Sequence, residues 1–561
     1  MKKQTKLFTT LSAAALLTIG VSAVSMAAGW DNSTGEWRYL NSDGTEVTDA
    51  WKSANGNWFY LGSDGVMVTN QLIEDTNNTT TRYYYVDQYG AMVKNTWKAV
   101  ALDDSSSGLD AEYYWYYFGS DGKAYTSKDE LGQNEIKTIN GLKYAFDSEG
   151  HMLYGWINPD NVEQQDGDDS AWETSQYFFN GWNDGHMQTG WAQLTVEDDN
   201  ETKEYWFNFG NDGKKVGYKD GKRKKINGSF YHFAADGHMI TGWGTATQSV
   251  KDANATSGQL NYLNGDGSER KNKWVWAVPD EDSVEDDLKK DYNDDEYSWW
   301  YFNNSGSLVV NQIKKINGKE YAFDKYGRML KGFVCNYDSD NDGKVDSIED
   351  AGNPGDWKRE EIIAGATDDG KYAVDGDFYF FSNDKEKDGS KKKGYQTLEL
   401  DDGSYQFYFN TSNGKAYTDY VSKIRKYVKN GLVLQPSNDD DRNYAGIVVT
   451  TGDKPVDMVF GSDTVGNILV NKSGNVVKKK AKIKDSDDSY YIADAAGRVV
   501  AFFETEDEYN NYVGYKVEGS DTLKCLNIKA DWLTKGITKD QLKTKINTEI
   551  GKIKKATPVE A

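Results

Sequence analysis

The chain is poor in the residues on which many small folds and active sites depend. Its 561 residues include two cysteines, four histidines and six prolines. Two cysteines exclude the dense cross-linking of small secreted scaffolds, and four histidines argue against a site built from several imidazole ligands. Long hydrophobic runs are also missing after the N-terminal stretch Leu7–Val24, so the sequence predicts no later membrane span.

Positive charge is also in deficit. Lysine and arginine number 65 against 89 aspartate and glutamate residues, which gives a formal net charge of −24 at pH 7 and a pI near 4.7. Such a chain offers no extended basic face that could neutralise phosphates. Nucleic acid and anionic lipid are therefore not expected as partners.

The N-terminus is typical of a signal peptide. Lys2 and Lys3 precede the apolar stretch, and Ser25-Met26-Ala27 supplies the small residues that a signal peptidase requires. We therefore expect residues 1–28 to be removed and the remainder to be secreted. The low cysteine density favours unpaired thiols at Cys335 and Cys525, although this compartment would permit a disulfide between them.

What the chain has in abundance is rings, glycine and repetition. Aromatic residues make up 14% of it, with 38 Tyr, 18 Trp and 55 Gly. The segment KTINGLKYAFDSEGHMLYGW at 137–156 returns in related form at 224–243 and 314–333. In each copy Asn-Gly predicts a tight turn, the alternating aromatics predict a strand, and Asp147–Gly150 or its equivalent predicts a second turn before Met leads a return strand. Each copy thus predicts a β-hairpin, which must stack on others to bury its rings.

The hairpins recur in groups of three, each ending on one of these copies. The fold class predicted is all-β, a hairpin array or solenoid of three-hairpin super-units with a short C-terminal helix. One super-unit would correspond to roughly one solenoid turn. The expected division is signal peptide 1–28, repeats 29–333, insertion 334–377, a degraded fourth super-unit 378–435, Trp-poor hairpins 436–503 and a tail 504–561.

The tail carries the helix signal. Thr538-Lys-Asp-Gln541 forms a capping box, and Leu542, Ile546 and Ile550 recur every four residues. The lysines of this helix could meet phosphates of a partner, but the sequence favours packing of the helix against the last hairpins, with the charges in water.

The repeat resembles a known family. Aromatic-x-aromatic, a Gly-ended turn, Met and then Gly-Trp is similar to the cell-wall-binding repeat of Gram-positive bacteria, which includes choline-binding and glucan-binding repeats. The stretch from Gly29 to Trp51 follows the pattern closely, with Ala50 in place of the second Gly. The resemblance implies a secreted, surface-associated protein held non-covalently to an envelope polymer, either choline-bearing teichoic acid or a glycan.

In that family three rings from adjacent hairpins enclose the ligand. Rings can hold a quaternary ammonium by cation–π attraction or stack on a sugar face. By resemblance the expected cages are Trp30, Trp37 and Trp51, and Trp156, Tyr177 and Trp191.

No catalytic constellation is evident, so the expected protein is not an enzyme. Three of the four histidines occupy equivalent Gly-His-Met places in separate hairpins, where we expect them at the surface, and no G-x-S-x-G motif occurs. Two alternatives remain open: the targeting arm of a peptidoglycan hydrolase, and a glycan-binding adhesin.

The insertion contains a calcium-type loop. From Asp338, oxygen ligands fall at loop positions 1, 3, 5, 9 and 12, Gly343 takes position 6, and position 7 offers a backbone carbonyl. The strand-like flank Gly332–Asn336 and the early Pro354 predict an isolated structural loop rather than a helix-flanked hand. The expected ligands are Asp338, Asp340, Asp342, Lys344, Asp346 and Glu349.

Overall fold

The structure is a computed structural model. It describes residues 28–77, 80–102, 111–127, 135–158, 160, 168–219, 221, 223–245, 260–278, 297–337, 346–383, 388–437, 440–450 and 454–559. The expected signal peptide 1–28 falls outside these residues except for Ala28. The chain divides into two compact units, the first comprising 1–252 and 262–269, the second 253–261 and 270–561.

The first unit is a succession of antiparallel two-stranded hairpins. Its helix is Ala171–Thr174, and its strands are Gly29–Asp31, Arg38–Leu40, Ala50–Ala54, Asn57–Leu61, Gln71–Asn77, Thr80–Val86, Thr96–Ala101, Tyr113–Phe118, Lys137–Ile139, Leu142–Tyr144, Gly155–Ile157, Tyr177–Phe179, Gly190–Asp198, Glu201–Phe209, Arg223–Ile226, Ser229–His232 and Gly242–Thr245. The strand Leu260–Leu263 falls where the units divide. The predicted all-β hairpin array is confirmed.

The Asn-Gly turns form as predicted. Asn140 has φ 50° and Gly141 φ 85°, and the pairs at 227–228 and 317–318 repeat these values. Two successive positive φ values characterise the type I′ turn, whose twist matches that of the flanking strands. The turn joins Lys137–Ile139 to Leu142–Tyr144 in register.

The second half of each predicted hairpin pairs differently. Met152 forms an isolated bridge with Phe146, and its backbone N–H donates to Trp115 O of the preceding hairpin at 2.8 Å. The following strand, Gly155–Ile157, pairs with Tyr177–Phe179. The Met segment therefore links neighbouring hairpins, and each Gly-Trp strand begins a new hairpin instead of closing the old one.

Glycine sets the spacing between neighbours. An ideal Cβ on Gly213 would lie 2.2 Å from Met187 Sδ, and one on Gly267 would lie 2.1 Å from Met239 Sδ. Both glycines have positive φ, so the turn backbone lies directly on the Met of the preceding hairpin. This contact places the rings of successive hairpins against one another.

The second unit begins with hairpins and continues into larger sheets, including one of five strands. Its strands are Lys273–Ala277, Ser298–Phe302, Gln312–Ile316, Lys319–Phe323, Met329–Leu330, Gly332–Tyr337, Ser347–Asp350, Asp377–Phe381, Gly394–Leu400, Gly403–Phe409, Asp419–Val421, Lys426–Lys429, Leu432–Val433, Tyr444–Val449, Pro455–Val459, Ile468–Asn471, Lys480–Lys484, Tyr490–Ala493, Val499–Phe503, Gly514–Val517, Lys524–Cys525 and Ala556–Pro558. Its helices are Arg359–Ala364, Glu506–Val513 and Lys539–Ile550, with short 3₁₀ turns at Pro354–Asp356 and Gly461–Thr464.

The segment 334–377 contributes to the core of this unit. Gly332–Tyr337 pairs on one side with Ser347–Asp350 and on the other with Asp377–Phe381. Trp357 is fully buried in the cluster that contains Phe333 and Phe407. Cys335 is buried in the same cluster and Cys525 is exposed, and both are free thiols.

The C-terminal helix agrees with its sequence signals. Thr538 caps Lys539–Ile550 and forms the predicted capping box with Gln541. Leu542, Ile546 and Ile550 are fully buried in a cluster with Tyr512. The helix packs through its apolar stripe, and its Lys543 donates to the carbonyl oxygens of Tyr512 and Val559 instead of pointing freely into solvent.

Candidate cation cages

A recurrent four-residue arrangement lies between neighbouring hairpins. It comprises the Trp of a hairpin's first strand, a second Trp near or in its second strand, a ring from the next hairpin and a Met eight residues after that ring. Five places in the described chain have this combination: Trp30, Trp37, Phe59 and Met67; Trp51, Trp58, Tyr84 and Met92; Trp97, Trp115, Tyr144 and Met152; Trp191, Trp206, Tyr231 and Met239; Trp274, Trp299, Tyr321 and Met329.

The Trp191 site, comprising Trp191, Trp206, Tyr231 and Met239, shows the geometry most fully. The Trp191 ring lies 4.8 Å from the Tyr231 ring at 60° and 6.5 Å from the Trp206 ring at 77°. Met239 N–H donates to Trp206 O at 2.7 Å. The Trp191 ring is therefore inclined steeply to the ring of its own hairpin's second strand and to a ring of the next hairpin, and the Met239 backbone joins the two hairpins.

The other four sites share the contact between the first Trp and the ring of the next hairpin, and each has one further contact of the Trp191 site. The first Trp meets the ring of the next hairpin at 5.4 Å in the Trp30 site, 5.0 Å in the Trp51 and Trp97 sites, and 4.9 Å in the Trp274 site. In three of them Met N–H donates to the carbonyl of the second Trp at 2.8 Å. In the Trp274 site the two Trp rings lie 6.3 Å apart at 90°.

These sites suit a cation that cannot donate a hydrogen bond. The ring faces carry negative potential, and Met adds a polarisable surface. Burial raises the pKa of Tyr144 and Tyr321, so these phenols remain neutral at neutral pH. Trp58 and Trp206 are 43% and 40% exposed, which leaves one wall of each cage open to solvent.

The ring contacts differ from the grouping expected from the sequence, and the expected cages stay a prediction. Trp30 packs on Tyr39 and Phe59, whereas Trp51 packs on Tyr60 and Tyr84, so these two residues have different ring partners. The third ring comes from the far strand of the next hairpin, because each Gly-Trp strand begins a new hairpin. Trp37 keeps its place as the second Trp, since its carbonyl accepts the Met67 N–H.

The second expected cage is also divided. Trp156 packs on Phe178 and Phe207, and Trp191 belongs to its own site. Tyr177 is 1% exposed in a core cluster with Phe179, where it cannot face a ligand. The constant eight-residue spacing from ring to Met is the sequence signal that could have identified the third ring.

Two of the three turn histidines, His151 and His238, pack against the neighbouring hairpin. His151 bonds Asp147 at 2.7 Å, and its ring stacks on Tyr114 of the preceding hairpin at 3.8 Å. His238 repeats the arrangement with Asp236 and with Tyr205 at 4.4 Å. The stacking arises because each turn lies against the strand of its neighbour.

The calcium loop falls largely outside the described residues. Of its ligands, Asp346 and Glu349 are described and the other four are not. Asp346 N–H donates to Tyr337 O at 2.8 Å, and Glu349 lies in the strand Ser347–Asp350, opposite Cys335. The calcium site remains a prediction.

Comparison with known proteins identifies the repeats. A family profile described as a choline-binding repeat matches residues 47–97, which contain all four residues of the Trp51 site, and a cell-wall-binding repeat profile matches residues 224–239. Within the described residues, no helix is both long and apolar enough to cross a membrane.

Two curated relatives match about half of this chain. Glucosyltransferase-I of Streptococcus downei is 24% identical over 330 residues, covering 53% of this chain and 19% of the relative. Glucosyltransferase-S of Streptococcus mutans is 26% identical over 278 residues, covering 46% of this chain and 15% of the relative. The chain thus spans less than a fifth of the length of these relatives.

Solved structures with similar folds come from Streptococcus pneumoniae. CbpJ is 19% identical, with a TM-score of 0.33, over 56% of this chain and 96% of that one. The modular autolysin LytC is 20% identical, with a TM-score of 0.29, over 60% of this chain and 58% of that one. Within this hairpin array, residues 47–97 match a choline-binding repeat and residues 224–239 match a cell-wall-binding repeat.

Proposed function

We propose that this protein is secreted, remains at the bacterial surface and binds the choline of teichoic acid through its Trp-Trp-ring-Met sites. It acts as a binding protein and not as an enzyme. The observation that supports this most directly is the Trp191 site, where the Trp191 ring contacts Tyr231 at 60° and Trp206 at 77°, and Trp206 is 40% exposed. The net charge of −24 favours a cationic ligand further.

The affinity of such a site follows from its ring contacts. Each contributes about 0.5–2 kcal/mol to holding a quaternary ammonium. Removing one ring should therefore weaken the site about 2- to 30-fold. Several such sites on one chain bound to a polymer with many cholines would add avidity.

Calorimetry with choline chloride tests the proposal. Trp206→Ala should weaken one class of site while leaving the fold intact, because Trp206 is already 40% exposed. Tyr113→Ala is the matched control, since that ring is 41% exposed and lies outside the five sites. Full-length protein that gives no heat with choline and still binds purified walls would overturn choline as the ligand.

A glycan is the second candidate ligand, and a different surface favours it. Trp276 and Tyr297 are 51% and 56% exposed, and their rings stack 5.9 Å apart at 24°. Two near-parallel exposed rings suit the flat apolar face of a sugar better than they suit an enclosed cation. Trp276→Ala should then reduce binding to wall glycan and leave choline binding unchanged. If the variant and the wild type are retained equally on glycan, the glycan is removed as a candidate ligand of this surface.

A further inference from the structure

The place that corresponds to a sixth cage contains different residues. Around Trp156 the second Trp is replaced by Gln176, the ring of the next hairpin is Phe207, and Lys215 stands where the other sites have Met. The backbone arrangement is nevertheless retained, since Lys215 N–H donates to Gln176 O at 2.8 Å. The hairpins therefore stack here as they do elsewhere, and only the side chains differ.

The side chain of Lys215 runs inward and places its ammonium among the rings. The Nζ lies 5.2 Å from the Trp156 ring centroid, 5.6 Å from that of Phe207 and 5.0 Å from that of Tyr218. It donates to Trp172 O at 2.5 Å. Lys215 is only 3% exposed, so its cation is enclosed by three ring faces and one carbonyl oxygen.

The neighbouring turn covers the lysine stem. An ideal Cβ on Gly237 would lie 2.7 Å from Lys215 Cγ, just as other turn glycines lie on the Met of the preceding hairpin. The aliphatic stem of Lys215 thus takes the position that a Met side chain takes elsewhere, and its ammonium extends beyond that position. The ammonium therefore occupies the space between the rings that a bound ligand would need.

The Lys215 ammonium forms no direct ion pair within the described part of the chain, since no carboxylate lies within 4 Å of it there. Burial lowers its pKa to about 7, while Asp236 and Glu173 raise the pKa from a distance. The Asp236 carboxylate is itself bonded to the His238 ring. The ring faces and the Trp172 carbonyl are therefore the closest partners of the ammonium.

A lysine at another Met place gives a useful contrast. Lys391 N–H donates to Glu320 O at 2.8 Å, so it occupies the same backbone position. Its Nζ pairs with Glu320 Oε1 at 3.1 Å, and Tyr379 lies 4.9 Å away. Where the first Trp is absent, the buried ammonium relies on a carboxylate, whereas at Trp156 it relies on rings.

We propose that Lys215 is a built-in ligand of the Trp156 site, whose ammonium takes the place that an external quaternary ammonium takes in the five open cages. The site is thereby closed to choline and joins its hairpins whether or not ligand is present. Lys215 is the residue that excludes ligand from this site. The comparison with open cages rests on the proposed function, but the internal occupancy does not.

Amine labelling of the full-length protein tests internal occupancy without any ligand. Lys214 is exposed and adjacent, so it is the internal control. With an acetylating reagent at pH 8 and peptide mass spectrometry, Lys215 should react at least about tenfold more slowly than Lys214, because a group this buried reacts only through rare opening. In denaturant the two should react alike. Equal rates in the native protein would overturn the proposal.

A substitution tests the closure. Gln176→Trp with Lys215→Met restores the residues of an open cage, so choline calorimetry should gain one equivalent per chain relative to wild type. Met239→Lys is the converse control and should lose one equivalent. If the double variant keeps its circular dichroism spectrum but gains no site, Lys215 does not close this cage. If wild type binds no choline, the proposed function fails, and the labelling result still decides whether the ammonium is enclosed.

Discussion

The close contact between turn glycine and Met makes a quantitative prediction about how the array is held together. Gly213 and Gly44 occupy equivalent second turns and share a φ of 82°. A Cβ on Gly213 would lie 2.2 Å from Met187 Sδ, whereas a Cβ on Gly44 would meet no atom within 4 Å. The two glycines therefore differ in their surroundings and not in their backbone.

Alanine at both positions separates strain from collision. Left-handed backbone costs a residue with a Cβ about 1–2 kcal/mol, and this applies equally to Gly44→Ala and Gly213→Ala. Only Gly213→Ala adds overpacking against the buried Met187, which costs about 1–3 kcal/mol. The local opening free energy around residue 213 should therefore fall by about 1–3 kcal/mol more than that around residue 44.

Hydrogen exchange measured by mass spectrometry gives the local opening free energies around residues 44 and 213. A further loss of 1–3 kcal/mol raises the local exchange rate about 5- to 150-fold beyond the effect of the control. In a Met187→Ala background, Gly213→Ala should cost about 1–3 kcal/mol less than it does in the wild type, because the collision disappears with the side chain. Equal effects at the two glycines, or the same cost of Gly213→Ala in both backgrounds, would refute the stacking contact as the origin of the spacing.

Three further predictions concern charge, metal and thiols. Burial lowers the pKa of Lys215 from 10.5 to about 7, so folding releases a proton between these pH values. Measured by denaturant titration relative to Lys215→Met, the unfolding free energy of the wild type should therefore rise on the order of 2 kcal/mol from pH 6 to pH 9. A difference that does not change with pH would contradict the burial of this lysine. Calcium calorimetry on the full-length protein should show one structural site at millimolar calcium that Asp338→Ala and Glu349→Ala abolish, whereas a flat wild-type titration would remove the site. Cys525 should react with a thiol reagent in the native protein while Cys335, whose pKa burial raises to about 11, reacts only on unfolding; comparable rates would show that the second unit opens readily.

Much of the local structure could be predicted because its causes are local. Asn140-Gly141 forms the expected turn since only a few residues tolerate two successive positive φ values. Lys539–Ile550 forms the expected helix since its cap and its apolar stripe lie within the segment itself. The all-β class follows in the same way from many short aromatic strands separated by turn residues.

Which aromatic rings contact one another was decided by the tertiary structure. The sequence places Trp30 and Trp51 in neighbouring repeats, but the pairing of each Gly-Trp strand with the following aromatic strand assigns them to separate sites. The segment 334–377 likewise looks like an insertion in sequence and supplies Trp357 to a core. Hydrophobic periodicity shows that a residue is buried but does not show which neighbour buries it.

Lys215 shows most clearly what could not be predicted from the sequence. In sequence it is one of two adjacent lysines in an acidic, soluble chain, and Lys214 remains exposed as such a pair would suggest. Its burial follows from standing at a Met place, where the backbone bond to Gln176 and the turn at Gly237 direct the side chain between rings. The sequence by itself determined hairpins, turns and the supply of rings, because these depend on residues close along the chain. Which rings contact one another, and where the Lys215 ammonium is enclosed, depended on contacts between hairpins that only folding brings together.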